Sequence, residues 1–288
     1  MSSAWFSSPA DARERLAAQG YLADAATATT SFLAGALDKP LLVEGPAGVG
    51  KTELAKAVAA ATGAGLVRLQ CYEGLDEARA LYEWNYKKQL LRIQAAGDQA
   101  WEETHDDIFT DEFLQTRPLL TAIRRDEPTV LLIDEVDKTD VEVEGLLLEI
   151  LSDFQVTIPE LGTLVAVRKP YVVLTSNASR ELSEALKRRC LYLHLDYPDA
   201  EREREIVRGQ VPDLDERIAR QVVDTVGRLR DLELKKAPSI AESVDWARTL
   251  VALEIGDLDE RAVADTLGVV LKHASDQERA VKELRLPR

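Results

Sequence analysis

The residues best suited to chemistry begin at Gly45-Pro46-Ala47-Gly48-Val49-Gly50-Lys51-Thr52, a Gly-x-x-x-x-Gly-Lys-Thr run. Glycines at this spacing let the backbone curl until several N–H groups converge on one phosphate. A helix opening behind the loop points its positive end at the same anion. The lysine then reaches the β- and γ-phosphates of a nucleotide, and the following hydroxyl is placed to ligate magnesium. The candidate nucleotide-binding residues are therefore Gly45, Pro46, Ala47, Gly48, Val49, Gly50, Lys51, Thr52 and the next residue, Glu53.

A second group is Leu131-Leu132-Ile133-Asp134-Glu135. An apolar strand here delivers two carboxylates at its C-terminal end, where open α/β sheets bind ligands. Asp134 joins Thr52 as a candidate magnesium ligand, and Glu135 is the candidate to orient or deprotonate an attacking water. A strand ending in two solvated acids is common. The glycine run about eighty residues upstream gives this pair its meaning. Asn177 follows the apolar run Tyr171–Thr175. Its neutral amide can bond both water and a γ-phosphate without adding charge, although Asn also suits an ordinary turn. Arg188 and Arg189 close a short helical segment, Glu181–Lys187. They balance a helix C-terminus, or one of them, Arg189 ahead of Arg188, serves the γ-phosphate bound by a neighbouring subunit. The catalytic candidates are Lys51, Glu135, Asn177 and Arg189.

These groups need a scaffold, and the hydrophobic pattern supplies one. A helix is expected over Leu22–Leu37, then a strand over Pro40–Glu44 ahead of the glycine loop, then an alanine-rich helix over Thr52–Thr62 stopped by Gly63. Further strands are expected at Leu66–Gln70, Val130–Ile133, Tyr171–Thr175 and Leu191–Leu195, with a helix over Val141–Leu151. Gln155–Ile158 and Leu164–Val167 flank Pro159-Glu160-Leu161-Gly162 and read as a hairpin. The polar stretch from Cys71 to Arg125 shows helical patterns over Asp76–Gln94 and Asp111–Arg125, broken by Gly97-Asp98 and the acidic run Glu102–Asp107. Tyr82, Trp84 and Tyr86 fall at a spacing of two within it, which is not one face of a helix, so some are exposed; the set reads as packing residues of this stretch, with a partner contact as the alternative. After Asp196–Asp199 no strand pattern remains, and about four amphipathic helices are expected, separated near Pro212, Pro238 and Gly256. Strands alternating with helices, followed by helices alone, indicate a parallel α/β domain with a helical domain attached.

The net charge of −15 disfavours nucleic acid and anionic membranes as partners. Lys187-Arg188-Arg189 is the densest basic cluster. Cys71 and Cys190 form no Cys-x-x-Cys pair and, with three histidines, give no zinc spacing. They read as small buried residues, and two free thiols suit a reducing cytosol. The N-terminal stretch lacks the charge and apolar run of a signal peptide, and no apolar run is long enough to span a bilayer. A cytoplasmic location is expected.

Taken together, the parts resemble the AAA+ ATPases, and within them the MoxR family, from about Tyr21 to Leu267. The resemblance rests on Leu42–Thr52, on Asp134-Glu135, and on Leu147-Leu148-Glu149 followed by Gln155–Ile158. Gln70-Cys71-Tyr72-Glu73-Gly74 and Tyr82-Glu83-Trp84-Asn85-Tyr86 look closer to the CoxD-like branch, associated with maturing molybdenum–copper carbon monoxide dehydrogenase and related hydroxylases. The resemblance implies a P-loop α/β fold of five parallel strands with helices on both faces over residues 1–197. It also implies an all-helical lid over 198–288, a helix-two insert near 73–112 and a pre-sensor hairpin near 155–168. It implies ATP and Mg2+ as ligands, Walker A at Gly45–Thr52, Walker B at Asp134 and Glu135, sensor one at Asn177 and an arginine finger at Arg189. It implies a ring, usually of six subunits, with ATP between neighbours. A chaperone role in metalloenzyme assembly follows, with a von Willebrand factor A domain protein and a metalloenzyme client as partners. In one respect the chain departs from the family. The lid commonly carries a Ser-Pro-Arg-like sensor-two motif, and here Ala237-Pro238-Ser239-Ile240-Ala241-Glu242 has no arginine at that place. Either Arg248 replaces it or the sensor is lost.

A magnesium-chelatase-like motor shares the insert and the A-domain partner. A nucleic-acid motor or clamp loader would be expected to carry basic residues at the hairpin tip, where this chain has Pro159-Glu160-Leu161-Gly162. A nucleotide-gated scaffold would have no need of Glu135.

Overall fold

The computed structural model describes residues 5–96 and 107–287. Gly97-Asp98 and most of Glu102–Asp107 lie outside the described residues. Two compact units are present. The first comprises Met1–Gln19, Ala23–Glu44 and Thr52–His194; the second comprises Gly20–Leu22, Gly45–Lys51 and Leu195–Arg288.

In chain order, the elements up to the last strand are α1 (Pro9–Ala17), α2 (Ala25–Ala36), β1 (Leu41–Glu44), α3 (Lys51–Thr62), β2 (Gly65–Gln70), α4 (Glu77–Ala80), β3 (Tyr82–Trp84) and α5 (Tyr86–Ala96). They continue with β4 (Leu114–Thr116), α6 (Pro118–Arg124), β5 (Thr129–Asp134), α7 (Val141–Asp153), β6 (Gln155–Ile158), β7 (Gly162–Val165), β8 (Tyr171–Ser176), α8 (Glu184–Arg189) and β9 (Leu191–His194). Five strands form one parallel sheet in the order β2-β5-β8-β1-β9. Every residue of β5 and of β8 is buried. Successive side chains on a strand point to opposite faces, so helices must cover both faces of the sheet's centre. Leu119, Leu120 and Ile123 of α6 join Leu131, Ile133, Val172 and Leu174 in one core, and α2 packs along β1, β8 and β9. This is the five-stranded α/β architecture expected from the sequence. The sheet brings Glu44, Gln70, Asp134, Ser176 and His194 to its C-terminal edge, with Gln70 in register beside Asp134.

Local chemistry sets the ends of these elements. Ser8, Asp24, Asp140 and Ser183 each accept a backbone N–H of the first turn as N-caps, which satisfies a donor the helix leaves unpaired. Two expectations need correction. Asp76–Gln94 and Asp111–Arg125 are not continuous helices. Tyr82–Trp84 and Leu114–Thr116 pair as a two-stranded antiparallel ribbon. The spacing of two among Tyr82, Trp84 and Tyr86 is a strand's alternation, which ends at Tyr86, the first residue of α5. Trp84 is buried and edges against Phe109 at 5.1 Å, whereas Tyr86 is exposed. The hairpin is present, but its second strand is Gly162–Val165 rather than Leu164–Val167. Gly162 at φ +77 starts that strand directly after a short turn.

The second unit is helical. It contains α9 (Ala200–Gln210), α10 (Glu216–Arg230), α11 (Ile240–Ala252), α12 (Glu260–Val270) and α13 (Ala274–Glu283). That is one helix more than the sequence breaks mark, because the turn at Leu271-Lys272-His273 carries neither Pro nor Gly. On α10, Ile218, Val222, Val226 and Leu229 form a buried stripe at helical spacing. Trp246 is fully buried and its indole N–H donates to Thr266 Oγ1 at 2.7 Å, joining α11 to α12. Buried Glu203 and partly buried Arg230 form a bidentate pair at 2.5 and 2.8 Å, and Ser243 Oγ donates to Glu203 at 2.6 Å. All members of this network are satisfied, so it fixes the packing of α9, α10 and α11 without leaving an unpaired charge.

Candidate functional site

The first unit gathers a cluster around Asp134. This carboxylate ends β5 and is almost completely buried, with 4% of its side chain exposed. Its Oδ1 accepts from Thr52 Oγ1 at 2.9 Å and from Thr175 Oγ1 at 2.6 Å. Its Oδ2 accepts from Arg68 Nε at 3.1 Å and Nη2 at 2.5 Å. Glu135 follows with φ +58, a left-handed conformation that turns the chain sharply at the strand end. The backbone N–H of Glu135 donates to Thr175 Oγ1 at 2.8 Å. One hydroxyl, buried in the adjacent strand, therefore holds both acids in place. The Glu135 carboxylate accepts from Gln70 Nε2 at 3.2 Å and from Asn177 Nδ2 at 3.4 Å. Gln70 Oε1 in turn accepts from Arg68 Nη2.

The loop that carries Asn177 is anchored from below. Asp137 accepts from the Ser179 amide at 3.0 Å and hydroxyl at 2.5 Å. Glu144 pairs with Arg180 at 2.5 Å and accepts from the Ser183 amide at 3.0 Å. Burial by itself would raise both carboxyls. The Ser179 bonds hold Asp137 below the ordinary carboxylate range, and the Ser183 bonds and the Arg180 charge do the same for Glu144. At the other end of the cluster, Cys71 is pushed up to about 12 by burial and then by the negative charges of Asp134, Asp137 and Glu135. Its thiol stays protonated and is no nucleophile. Burial does the same to Cys190.

The glycine loop lies in the second unit. Gly45 has φ +155 and Gly48 has φ +75. A Cβ built on Gly45 would sit 1.9 Å from the carbonyl oxygen of Leu195, and one on Gly48 would sit 2.2 Å from Ser239 Oγ. Neither position admits a side chain. Val49, by contrast, is buried in the helical core with Val207, Val244 and Trp246. Lys51 Nζ donates to the carbonyls of Gly45 and Pro46 at 2.7 and 2.6 Å, closing the loop on itself. Lys51 and Thr52 open α3.

Of the residues proposed from sequence, Thr52, Asp134, Glu135 and Asn177 come together in one cluster. Lys51 lies with Gly45–Gly50 in the loop. Glu53 instead pairs with Lys56 at 2.7 Å on the exposed side of α3. Arg188 and Arg189 are exposed in the last turn of α8, which starts later than expected, at Glu184. Arg248 pairs with Asp245 at 3.4 Å and is exposed. The place of the sensor-two motif is taken by Ser239, the N-cap of α11, in a capping box with Glu242. Sequence reasoning passed over Thr175, Arg68 and Gln70. Arg68 and Gln70 are two residues apart on a strand, so both project to one side. A charge inside the apolar run Leu66-Val67-Arg68-Leu69 was the available signal.

The donor set fits a magnesium nucleotide. Magnesium takes hard oxygen ligands, few of them from protein, and Thr52 and Asp134 offer a hydroxyl and a carboxylate 2.9 Å apart. Among the described residues no larger cluster of His, Cys, Asp and Glu forms a metal cage. Oδ2 of Asp134 already holds a positive group, the guanidinium of Arg68. No helix among the described residues is long and apolar enough to cross a membrane.

A parallel five-stranded sheet, a glycine loop between β1 and α3, and an acid pair closing β5 define a P-loop nucleotide-binding protein of the α/β class. The AAA domain model of the dynein-related subfamily matches residues 40–190, just over half of the 288 residues, and the chain belongs to this family of AAA+ ATPases. An uncharacterized protein of Staphylococcus haemolyticus is 26% identical over 243 residues, which is 80% of this chain and 85% of that one. A second, from Staphylococcus epidermidis, is 26% identical over 263 residues, 87% and 91% of the two chains. Among solved structures, a provisionally named ATPase from Cytophaga hutchinsonii superposes over 68% of this chain with a TM-score of 0.42 and 20% identity; the match spans 56% of that protein.

Proposed function

We propose that the chain is a magnesium-dependent ATPase of the MoxR type that works in the cytoplasm as a ring, with six subunits as the expected size. The observation that carries this reading is the Asp134 cluster. The Thr52 hydroxyl meets the Asp134 carboxylate at 2.9 Å, and Glu135 is held at the neighbouring position by Gln70 and Asn177. Thr52, whose hydroxyl bonds Asp134, follows Lys51 directly in the chain. The loop's backbone N–H groups, which Pro46 lacks, would face the phosphates, and Lys51 would exchange its bonds to the Gly45 and Pro46 carbonyls for phosphate oxygens. Thr52 and Asp134 would hold magnesium, which would supply charge neutralisation to the bound phosphates. Glu135 orients the attacking water and accepts its proton, while Asn177 bonds the same water. Arg189, exposed and outside the cluster, is available to a neighbouring subunit's γ-phosphate.

The motion so driven would serve a client, a metalloenzyme or its A-domain assembly partner. The charge of −15 and the hairpin tip at Glu160 favour a protein client over nucleic acid. So does the hairpin base, where Lys169 is engaged by Asp38 at 3.5 Å and by the Phe154 ring.

The test is a pair of substitutions followed by calorimetry and phosphate release. Lys51→Ala is expected to lose ATP binding. Glu135→Gln is expected to bind ATP with the parent's affinity and to turn over at least about a hundredfold more slowly, the usual scale for losing a general base. Unchanged turnover in Glu135→Gln would remove Glu135 from the reaction. ATP binding that survives in Lys51→Ala would remove the loop.

A further inference from the structure

Asp134 is fully committed before any metal arrives. A carboxylate has about four lone-pair sites, and here four donor contacts fill them: Thr52 and Thr175 on Oδ1, and Arg68 twice on Oδ2. The two sides differ in kind. Thr52 and Thr175 are neutral hydroxyls, and the Thr52 oxygen can ligate the same ion that Asp134 ligates. Arg68 is a cation. A guanidinium donating two N–H groups to Oδ2 leaves that oxygen no room for a dication, and the two positive charges repel.

The two partners also differ in freedom. Asp134 has 4% of its side chain exposed, whereas Arg68 has 49%. Arg68 can swing into water at little desolvation cost, and Asp134 cannot move away. Arg68 stands on β2 two residues before Gln70, and its Nη2 also donates to Gln70 Oε1, whose amide holds Glu135. If Arg68 leaves both acceptors, the Gln70 side chain keeps only the Cys71 carbonyl and Glu135.

We infer that Arg68 is the resident counter-cation of the metal-free site, occupying Oδ2 of Asp134 until magnesium displaces it, and that it thereby sets the site's magnesium affinity. Arg68 acts through Asp134 and is a positioning residue. The inference rests on the ATPase reading above, because it requires Asp134 to be a metal ligand.

Competition lowers an apparent affinity by the fraction of sites left open, and a pair with one half-exposed partner shifts such an equilibrium about fivefold. The experiment measures ADP affinity of the full chain by calorimetry across a magnesium chloride series, starting in chelator. For each protein it reads the magnesium concentration at half-effect. Arg68→Gln is expected to lower this midpoint about fivefold. Arg68→Lys keeps a cation but loses the forked contact, and is expected to lower it by about twofold, between the parent and the glutamine variant. A residue with a merely structural role would weaken ADP binding in both conditions and would not move the midpoint downward. A midpoint equal to or above the parent's in Arg68→Gln, with ADP binding retained, overturns the inference and leaves the ATPase reading standing. If Arg68→Gln does not fold, a lysine midpoint at or above the parent's overturns it equally. A parent chain that binds no ADP at any magnesium concentration overturns the ATPase reading and this inference with it.

Discussion

Thr175→Val isolates one hydroxyl on which both acids depend. Thr175 lies in β8 with 1% of its surface exposed. Its oxygen donates to Asp134 Oδ1 at 2.6 Å and accepts the Glu135 amide at 2.8 Å. Valine keeps the branched shape and the strand preference, so only the hydroxyl is lost, and a methyl then faces a buried carboxylate. A hydrogen bond to a charged group contributes about 1.5–3 kcal/mol, and a partly buried amide left unpaired costs about 1 kcal/mol. The loss should be about 3 kcal/mol. For a domain of this size each kcal/mol moves the melting temperature by roughly 2–4 °C, so the variant should melt about 6–12 °C lower. Thr175→Ser keeps the hydroxyl and loses one buried methyl, about 1 kcal/mol.

The assay is denaturant unfolding of parent, valine and serine variants, followed by near-ultraviolet dichroism together with phosphate release. Serine should retain turnover and valine should lose most of it, because Glu135 is tethered through the same atom. Valine within about 1 kcal/mol of the parent would refute the two-acid tether. Serine falling as far as valine would show that packing, and not the hydroxyl, accounts for the loss.

Two further outcomes follow from the same geometry. Gly45→Ala places a Cβ 1.9 Å from the Leu195 carbonyl, which is backbone and cannot rotate away, at φ +155. Overpacking and backbone strain together should destabilise by about 2–5 kcal/mol and abolish ADP binding; a stable, binding variant in calorimetry would disprove that approach. The chain should also lose stability in acid through Asp137 and Glu144. Both are held below the ordinary carboxylate value in the folded state. Their contribution is therefore complete above the unfolded value of about 4 and is lost as pH falls through the folded value. Denaturation midpoints across pH 2 to 6 should fall only below about pH 4, and Asp137→Asn should flatten that fall; an unchanged slope would show that Asp137 contributes nothing to it.

Much of the first unit was legible because parallel strands buried on both faces leave long apolar runs. Val130–Ile133 and Tyr171–Thr175 mark their strands almost to the residue, and the glycine loop marks the helix behind it. The ribbon of β3 and β4 was not legible as such, because three-residue strands give too short an alternation to stand against flanking helical patterns. Register was the larger obstacle at the site. Asp134 and Glu135 are visible in the chain, but the residues that orient them come from β2 and β8. Only sheet order reveals that Arg68, Gln70 and Thr175 stand beside them. A threonine at a strand end is ordinary by sequence. It becomes decisive here because β8 lies next to β5.

Within the second unit, the glycine loop is joined to the helices by close packing. The loop residues Gly45–Lys51 pack as part of the helical unit, by close approach of the glycine backbone and through the Val49 side chain. Gly45 abuts the Leu195 carbonyl, Gly48 abuts Ser239 at the N-terminus of α11, and Val49 is embedded among Val207, Val244 and Trp246. A change in loop conformation must move Leu195, the capping box of α11 or a buried valine, each of which is close-packed and costly to displace. Ser239 is fixed by Glu242, and Glu203 ties α11 to α9 and α10 through Ser243 and Arg230. Any displacement of Ser239 is thus carried by three helices at once, so a rigid path runs from the loop into the helical unit.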